Sequence, residues 1–175
     1  PYGSLPKNWA RWKGLHLNGN QVVLSYRVGE TDVLETPGFE RRDGLAMITR
    51  TVQLTGQRTP HTLLVCEDTN GIASVVGNIG VVRIGEDCVA VGVSHGRGAF
   101  EAKSNGRLEL VLPALNDSRA FQISIWRGRT NELERFSKAV TAAEKLPNLA
   151  SLTNAGPARW TAPIVTQGKL GTEAG

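Results

Sequence analysis

Two cysteines, one methionine, three histidines and 6% aromatic residues are all that the 175 residues hold of these types. The cysteines, Cys66 and Cys88, stand in neither a C-x-x-C nor a C-x-x-C-H motif. A cysteine-based zinc site and a covalent haem attachment within this segment are therefore not expected. His16, His61 and His95 lie too far apart in sequence for an H-x-x-x-H ligand pair. The expectation is no metal and no cofactor in the segment. No apolar run approaches the roughly 20 residues of a membrane helix, so no membrane partner is expected. What is present is ordinary for a globular chain: 40% hydrophobic and 21% charged residues, which argues against a coiled coil, collagen or wholesale disorder. Twenty glycines with few aromatics imply many turns and an aliphatic core. A chain of this length buries roughly 70% of its unfolded surface and needs no metal or disulfide to fold.

The net charge is +4. Residues 1–88 carry 9 Lys/Arg against 9 Asp/Glu, and residues 89–175 carry 11 against 7. The densest basic–aromatic grouping in the second half is Arg119, Trp126, Arg127 and Arg129, too thin for the cationic face with stacking aromatics that nucleic acid requires. Nucleic acid is not an expected partner.

Apolar residues recur mostly every second position, the β period. Val22, Leu24, Tyr26 and Val28 share one face of a strand between the turns Asn18-Gly19-Asn20 and Gly29-Glu30. Thr31 to Glu35 answers it, and Pro37-Gly38 reads as a break. From Leu45 to Leu54, Ala46, Ile48, Val52 and Leu54 form the apolar register, on which Arg50 also falls; this strand is then an edge, or Arg50 is paired. Further runs at Thr62–Glu67, Ile72–Val76, Ile79–Ile84, Cys88–Val93, Ala99–Lys103, Arg107–Leu112 and Phe121–Trp126 are separated by Gly, Asn and Asp turns. About ten strands at this spacing predict an all-β antiparallel β-sandwich. The period then changes. Asn131 with Glu134 has capping-box spacing, and Leu133, Phe136, Val140 and Ala143 fall at helical intervals. One C-terminal amphipathic helix is predicted over Asn131–Lys145, with a further turn from Asn148 to Leu152. The domain is expected to occupy 1–153, with 154–175 an extended connector to a following domain.

Candidate chemistry is sparse. Ser94-His95-Gly96-Arg97-Gly98 juxtaposes a hydroxyl and an imidazole, but a nucleophile needs its base within hydrogen-bond reach, and adjacent strand residues point to opposite faces. A polar turn is the plainer reading. Glu67-Asp68, Glu86-Asp87 and Asp32 with Glu35 are carboxylate pairs of the kind glycosidases use across a cleft. Asp68-Thr69-Asn70-Gly71 has the chemistry of an Asx turn more than of a calcium loop. Trp9, Trp12 and Trp126, with His95 and Arg97, are the candidate binding residues, since exposed indoles stack on sugars; Trp126 also fits a core position. Trp160 is the candidate for interdomain docking. Cys66 and Cys88 both sit in apolar strand runs, as two free thiols or as a possible disulfide.

The segments Pro1–Lys7, Arg11–Leu15, Val22–Gly29, Val33–Glu35, Phe121–Gly128, Gly156–Trp160 and Val165–Gly171 resemble a domain of unknown function found in large secreted bacterial proteins. That resemblance implies a neighbouring β-propeller similar to sorbosone dehydrogenases, with c-type cytochrome domains beyond it. It implies a periplasmic or secreted location, haem c elsewhere in the parent chain, and other domains of the same chain, the propeller above all, as partners. It carries no catalytic residues. The resulting expectation is a non-catalytic accessory or interaction module of a larger exported, dehydrogenase-like redox protein. The alternatives are a carbohydrate-binding module, with carbohydrate as the partner, and a sugar-active enzyme on a sandwich fold.

Overall fold

The fold was analysed in a computed structural model, which describes residues 6, 8–114, 117–143 and 145–154. Eleven strands follow one another: β1 (Ala10–Asn18), β2 (Gln21–Val28), β3 (Thr31–Arg42), β4 (Leu45–Thr55), β5 (His61–Glu67), β6 (Ile72–Val76), β7 (Ile79–Ile84), β8 (Asp87–Ser94), β9 (Ala99–Lys103), β10 (Arg107–Leu112) and β11 (Arg119–Arg129). A 3-10 turn (Thr130–Glu132) leads into α1 (Leu133–Thr141), and α2 (Leu149–Leu152) follows. The strands form two antiparallel sheets of very unequal size. The large one has the order β1-β2-β3-β4-β11-β8-β7-β6, the small one β5-β10-β9.

Two-residue loops set most of the registers. Val28 pairs with Thr31, Val76 with Ile79 and Ile84 with Asp87. In each the first loop residue is a glycine at positive φ, as is Gly19 between β1 and β2. Arg42 pairs with Leu45 across Asp43-Gly44, both at positive φ. These are the turn geometries whose twist matches that of paired strands.

The large sheet is covered on both sides, by different things. In β7, Ile79 and Val81 belong to one buried cluster and Val82 to another; in β8, Cys88 and Ala90 separate in the same way from Val91. The first cluster takes in Leu133, Phe136, Ala139 and Val140 of α1. The second takes in Leu108, Leu110 and Leu112 of β10. The helix therefore lies on one face and the small sheet on the other. Contact is close on each side: a Cβ on Gly92 would stand 2.6 Å from Val140 Cγ2, and one on Gly80 would overlap the Leu108 side chain.

Several expectations need correction. The helix spans Leu133–Thr141, shorter than Asn131–Lys145, and its N-cap is Glu132 with no side-chain cap, so the Asn131–Glu134 capping box does not form. Strand β3 runs straight through Pro37-Gly38 to Arg42. Pairing with β2 stops at Leu24–Glu35, so one side of β3 has no ladder beyond that point and Pro37 forfeits no bond there. In β4 the apolar register changes face midway. Leu45 and Met47 are buried under the helix cluster and Ile48 is exposed, whereas Val52 and Leu54 are buried under the small sheet. Strand β4 is central, flanked by β3 and β11.

The β9–β10 turn meets the β5–β6 turn back to back. Asp68 N–H donates to the Gly106 carbonyl over 3.2 Å. Gly106 has φ +63°, and a Cβ there would overlap the Asp68 carbonyl oxygen and lie 2.7 Å from that of Gly71. Gly106→Ala should therefore cost about 2–3 kcal/mol from backbone strain and overlap together, read as a lower urea midpoint; an unchanged midpoint would show that the two turns move apart freely.

Candidate functional site

A three-stranded sheet cannot roof an eight-stranded one. The small sheet stands over β6, β7, β8, β11 and the second half of β4, and of its two edge strands β5 is the one at the β4 margin. Beyond that margin the same face of β1–β4 lies open. Direct cross-strand pairing places Trp12 beside Tyr26, Leu15 beside Leu24, Leu17 beside Val22 and Phe39 beside Ile48, and all of these side chains share the open face. Trp12, Phe39 and Ile48 are 60%, 61% and 58% exposed, and Leu15 and Leu17 about half exposed. Arg41 lies over the Phe39 ring at 5.6 Å, within cation–π range.

At the margin itself is a cleft of about 100 Å³, lined by Tyr26, Val28, Val33, Val52, Leu54, Leu63, Leu112 and Phe121, with Arg50 and His61. Its polar centre is an ion pair. Arg50 Nε donates to Glu35 Oε1 at 2.6 Å and Nη2 to Oε2 at 3.1 Å, while the Tyr26 hydroxyl donates to Oε2 at 2.7 Å. Burial pushes the Glu35 carboxyl upward, but the hydrogen bonds from Arg50 and Tyr26 and the Arg50 charge outweigh it, so the net shift is below the ordinary value. The bonds to Glu35 raise the Arg50 guanidinium against the effect of burial. Burial first, then the bond to a carboxylate, raises the Tyr26 phenol well above its ordinary value. All three are locked in one protonation state around neutral pH. His61 Nε2 lies 2.7 Å from the Thr31 hydroxyl, and its Nδ1 is 3.1 Å from the Pro60 carbonyl. Thr31 is only 2% exposed, so that hydroxyl is closed to a substrate.

The residues singled out from sequence are scattered. Trp126 is 5% exposed and stacks on Phe136, ring centroids 5.6 Å apart; it is a core residue and not a binding platform. His95, at φ 61°, and Arg97 are exposed in the β8–β9 turn. Trp9 and Trp12 are exposed at the start of β1. Trp160 and the connector after Asn154 lie outside the described residues. Cys66 and Cys88 are free thiols on different sheets, packed against different clusters, so the disulfide alternative is set aside. Burial raises both. Asp32 and Glu35, an odd number of positions apart on β3, face opposite sides and make no catalytic pair. Asp68 does form an Asx turn, its Oδ1 accepting from Asn70 N–H at 2.9 Å. The signal for the cleft was present in the sequence as Arg50 on an apolar register; the missing information was its partner, Glu35, on the adjacent strand.

The fold and the open face together define a sandwich-like, two-sheet β-domain with helix α1 on its back and the β1–β4 half of its large sheet unroofed on the other face. A family model described as a domain of unknown function (DUF6797) matches residues 1–35, which cover β1, β2 and the start of β3. No curated protein matches the chain.

Proposed function

We propose that the domain is a non-catalytic interaction module that packs its unroofed sheet face against a neighbouring domain of a larger exported redox protein. The observation behind this reading is the apolar run Leu15, Leu17, Phe39 and Ile48 with Trp12, presented on one rigid sheet surface. Exposed large apolar side chains gathered on one sheet face are characteristic of interaction sites. The neighbour proposed is a β-propeller resembling sugar dehydrogenases, and haem c is proposed to lie in further domains of the parent. The test is solvent access to the face. Phe39→Cys and Ile48→Cys should react rapidly with a maleimide in the isolated domain and slowly in the longer parent polypeptide. Equal rates in both contexts would sink the proposal.

A second reading, a carbohydrate-binding module, is favoured by the exposure of Trp9 and Trp12 on the edge of the sheet. Indoles so placed offer an apolar face to a sugar ring.

A further inference from the structure

The balanced charge of the first half of the chain hides a segregation. Residues 1–29 contain Lys7, Arg11, Lys13 and Arg27 and not one Asp or Glu. The fold concentrates three of these cations. Arg11 of β1 is the direct cross-strand partner of Arg27 of β2, an opposition of like charges that destabilises a sheet. The register slips between Trp12 and Gly14, leaving Lys13 as an extra residue in the edge strand. Such bulges re-aim side chains next to functional sites. Here the bulge brings a third cation to the same place. Lys13 Nζ and Arg27 Nε both donate to Oδ1 of Asp32, at 3.2 and 3.0 Å. Those bonds and the two positive charges outweigh burial and hold the Asp32 carboxyl below its ordinary value. Arg11 has no acidic partner among the described residues. Two cations therefore share one carboxylate, and a third stands opposite one of them across the strand pair. Arg11, Trp12, Lys13 and Arg27 line an open depression of about 410 Å³, within the range of roughly 300–1,000 Å³ typical of ligand sites.

We propose that this depression binds a carboxylate-bearing sugar chain, a polyuronate. The proposal rests on the carbohydrate reading above and names the class of sugar. The chemistry is that of the groups in place. Asp32 shows that the cluster accepts a carboxylate oxygen; a second carboxylate, from the ligand, relieves the Arg11–Arg27 opposition through charge-assisted hydrogen bonds. Trp12, on the other face of the edge strand, borders the same depression and supplies an apolar surface at its rim for the C–H face of the pyranose ring. A nucleic acid would need a cationic track along several nucleotides, and the cluster extends over one strand pair at the sheet edge.

The experiment is calorimetric titration of the whole 175-residue chain with oligo-uronate, a neutral gluco-oligosaccharide of equal length, poly-glutamate and a single-stranded oligonucleotide. Oligo-uronate should bind, and binding should weaken as salt rises, since exposed charges are screened within about 8 Å at physiological ionic strength. Arg11→Gln and Trp12→Ala should each weaken it about tenfold without lowering the melting temperature, both positions being exposed. Asp32→Asn should tighten it by freeing Lys13 and Arg27, a gain that a purely structural role would not produce. Neutral-sugar binding of equal strength would overturn the uronate proposal and leave the carbohydrate reading standing. Poly-glutamate or oligonucleotide binding as tight as uronate, or no binding by any probe, would overturn both.

Discussion

Phe136→Ala should unfold the domain more readily than any exposed substitution, by about 3–5 kcal/mol for the lost ring and the cavity it leaves. Phe136 is 0% exposed and stacks on Trp126 with an interplanar angle of 18°. It is the largest of the fully buried side chains and joins Leu133, Ala139 and Val140 of α1 to Met47, Ile79, Val81 and Ala90 of the large sheet. Removing it takes away the ring stacking, itself about 0.5–1.5 kcal/mol, and most of what anchors a helix of nine residues. A helix that short has little stability of its own, so its attachment is tertiary. For a domain near 150 residues each kcal/mol moves the melting temperature by roughly 2–4 °C. The expected drop is thus about 6–20 °C by calorimetry, with the Trp126 fluorescence changing as its partner is lost. Phe39→Ala, on the open face, is the control and should stay within about 0.5 kcal/mol of the parent. Equal effects at the two positions would show that α1 does not anchor the sheet as described.

Most of the strands were legible in the sequence because they are short, alternate, and are closed by a turn residue with a conformational reason to be there: Gly19, Gly29, Gly77 and Gly85 each take positive φ. The sheet's two-sided cover was not legible. A strand buried under a helix at one end and under a second sheet at the other, as β4 is, presents neither clean alternation nor a continuous apolar run. Met47 and Val52 are both buried on opposite faces, and Ile48 between them is exposed. The spacing of Asn131 and Glu134 predicts a capping box and a longer helix, but β11 runs on to Arg129 and the chain enters the helix through a 3-10 turn. The aromatic residues divided by environment. Trp126 falls on the face of β11 under α1, while Trp12 falls on an edge strand whose face has no roof. Sequence spacing carries no information on which half of a sheet is roofed, and that single topological fact decides where the exposed surface lies.

The same fact explains why a bidentate ion pair sits on the inner face of the large sheet, and it leads to the second large effect. Glu35 is 7% exposed at the margin where the small sheet stops. Arg50→Met should leave its carboxylate with the Tyr26 hydroxyl alone, costing about 2–4 kcal/mol at neutral pH, since an uncompensated buried charge is more expensive than the pair is favourable. The sign of the pH dependence separates this from a simple packing defect. In the parent protein the Glu35 carboxyl is depressed by Arg50 and Tyr26. Its contribution is therefore complete above the unfolded value of about 4.3 and lost as pH falls through the lower folded value. In Arg50→Met burial dominates and raises the carboxyl instead. The penalty is then present at neutral pH and disappears as pH falls towards the unfolded value. The stability gap between the two proteins should be widest near neutrality and shrink steadily on acidification, followed by urea midpoints from about pH 7 to 4. A gap that stays constant over that range would mean that Arg50 acts by volume alone. Adding Glu35→Leu to Arg50→Met should restore most of the loss, because an apolar pair of similar size replaces a buried ion pair at little cost. The restored protein should then self-associate. Replacing both charged groups by apolar side chains makes the cleft wholly apolar around its centre and adds to the apolar surface of the open face.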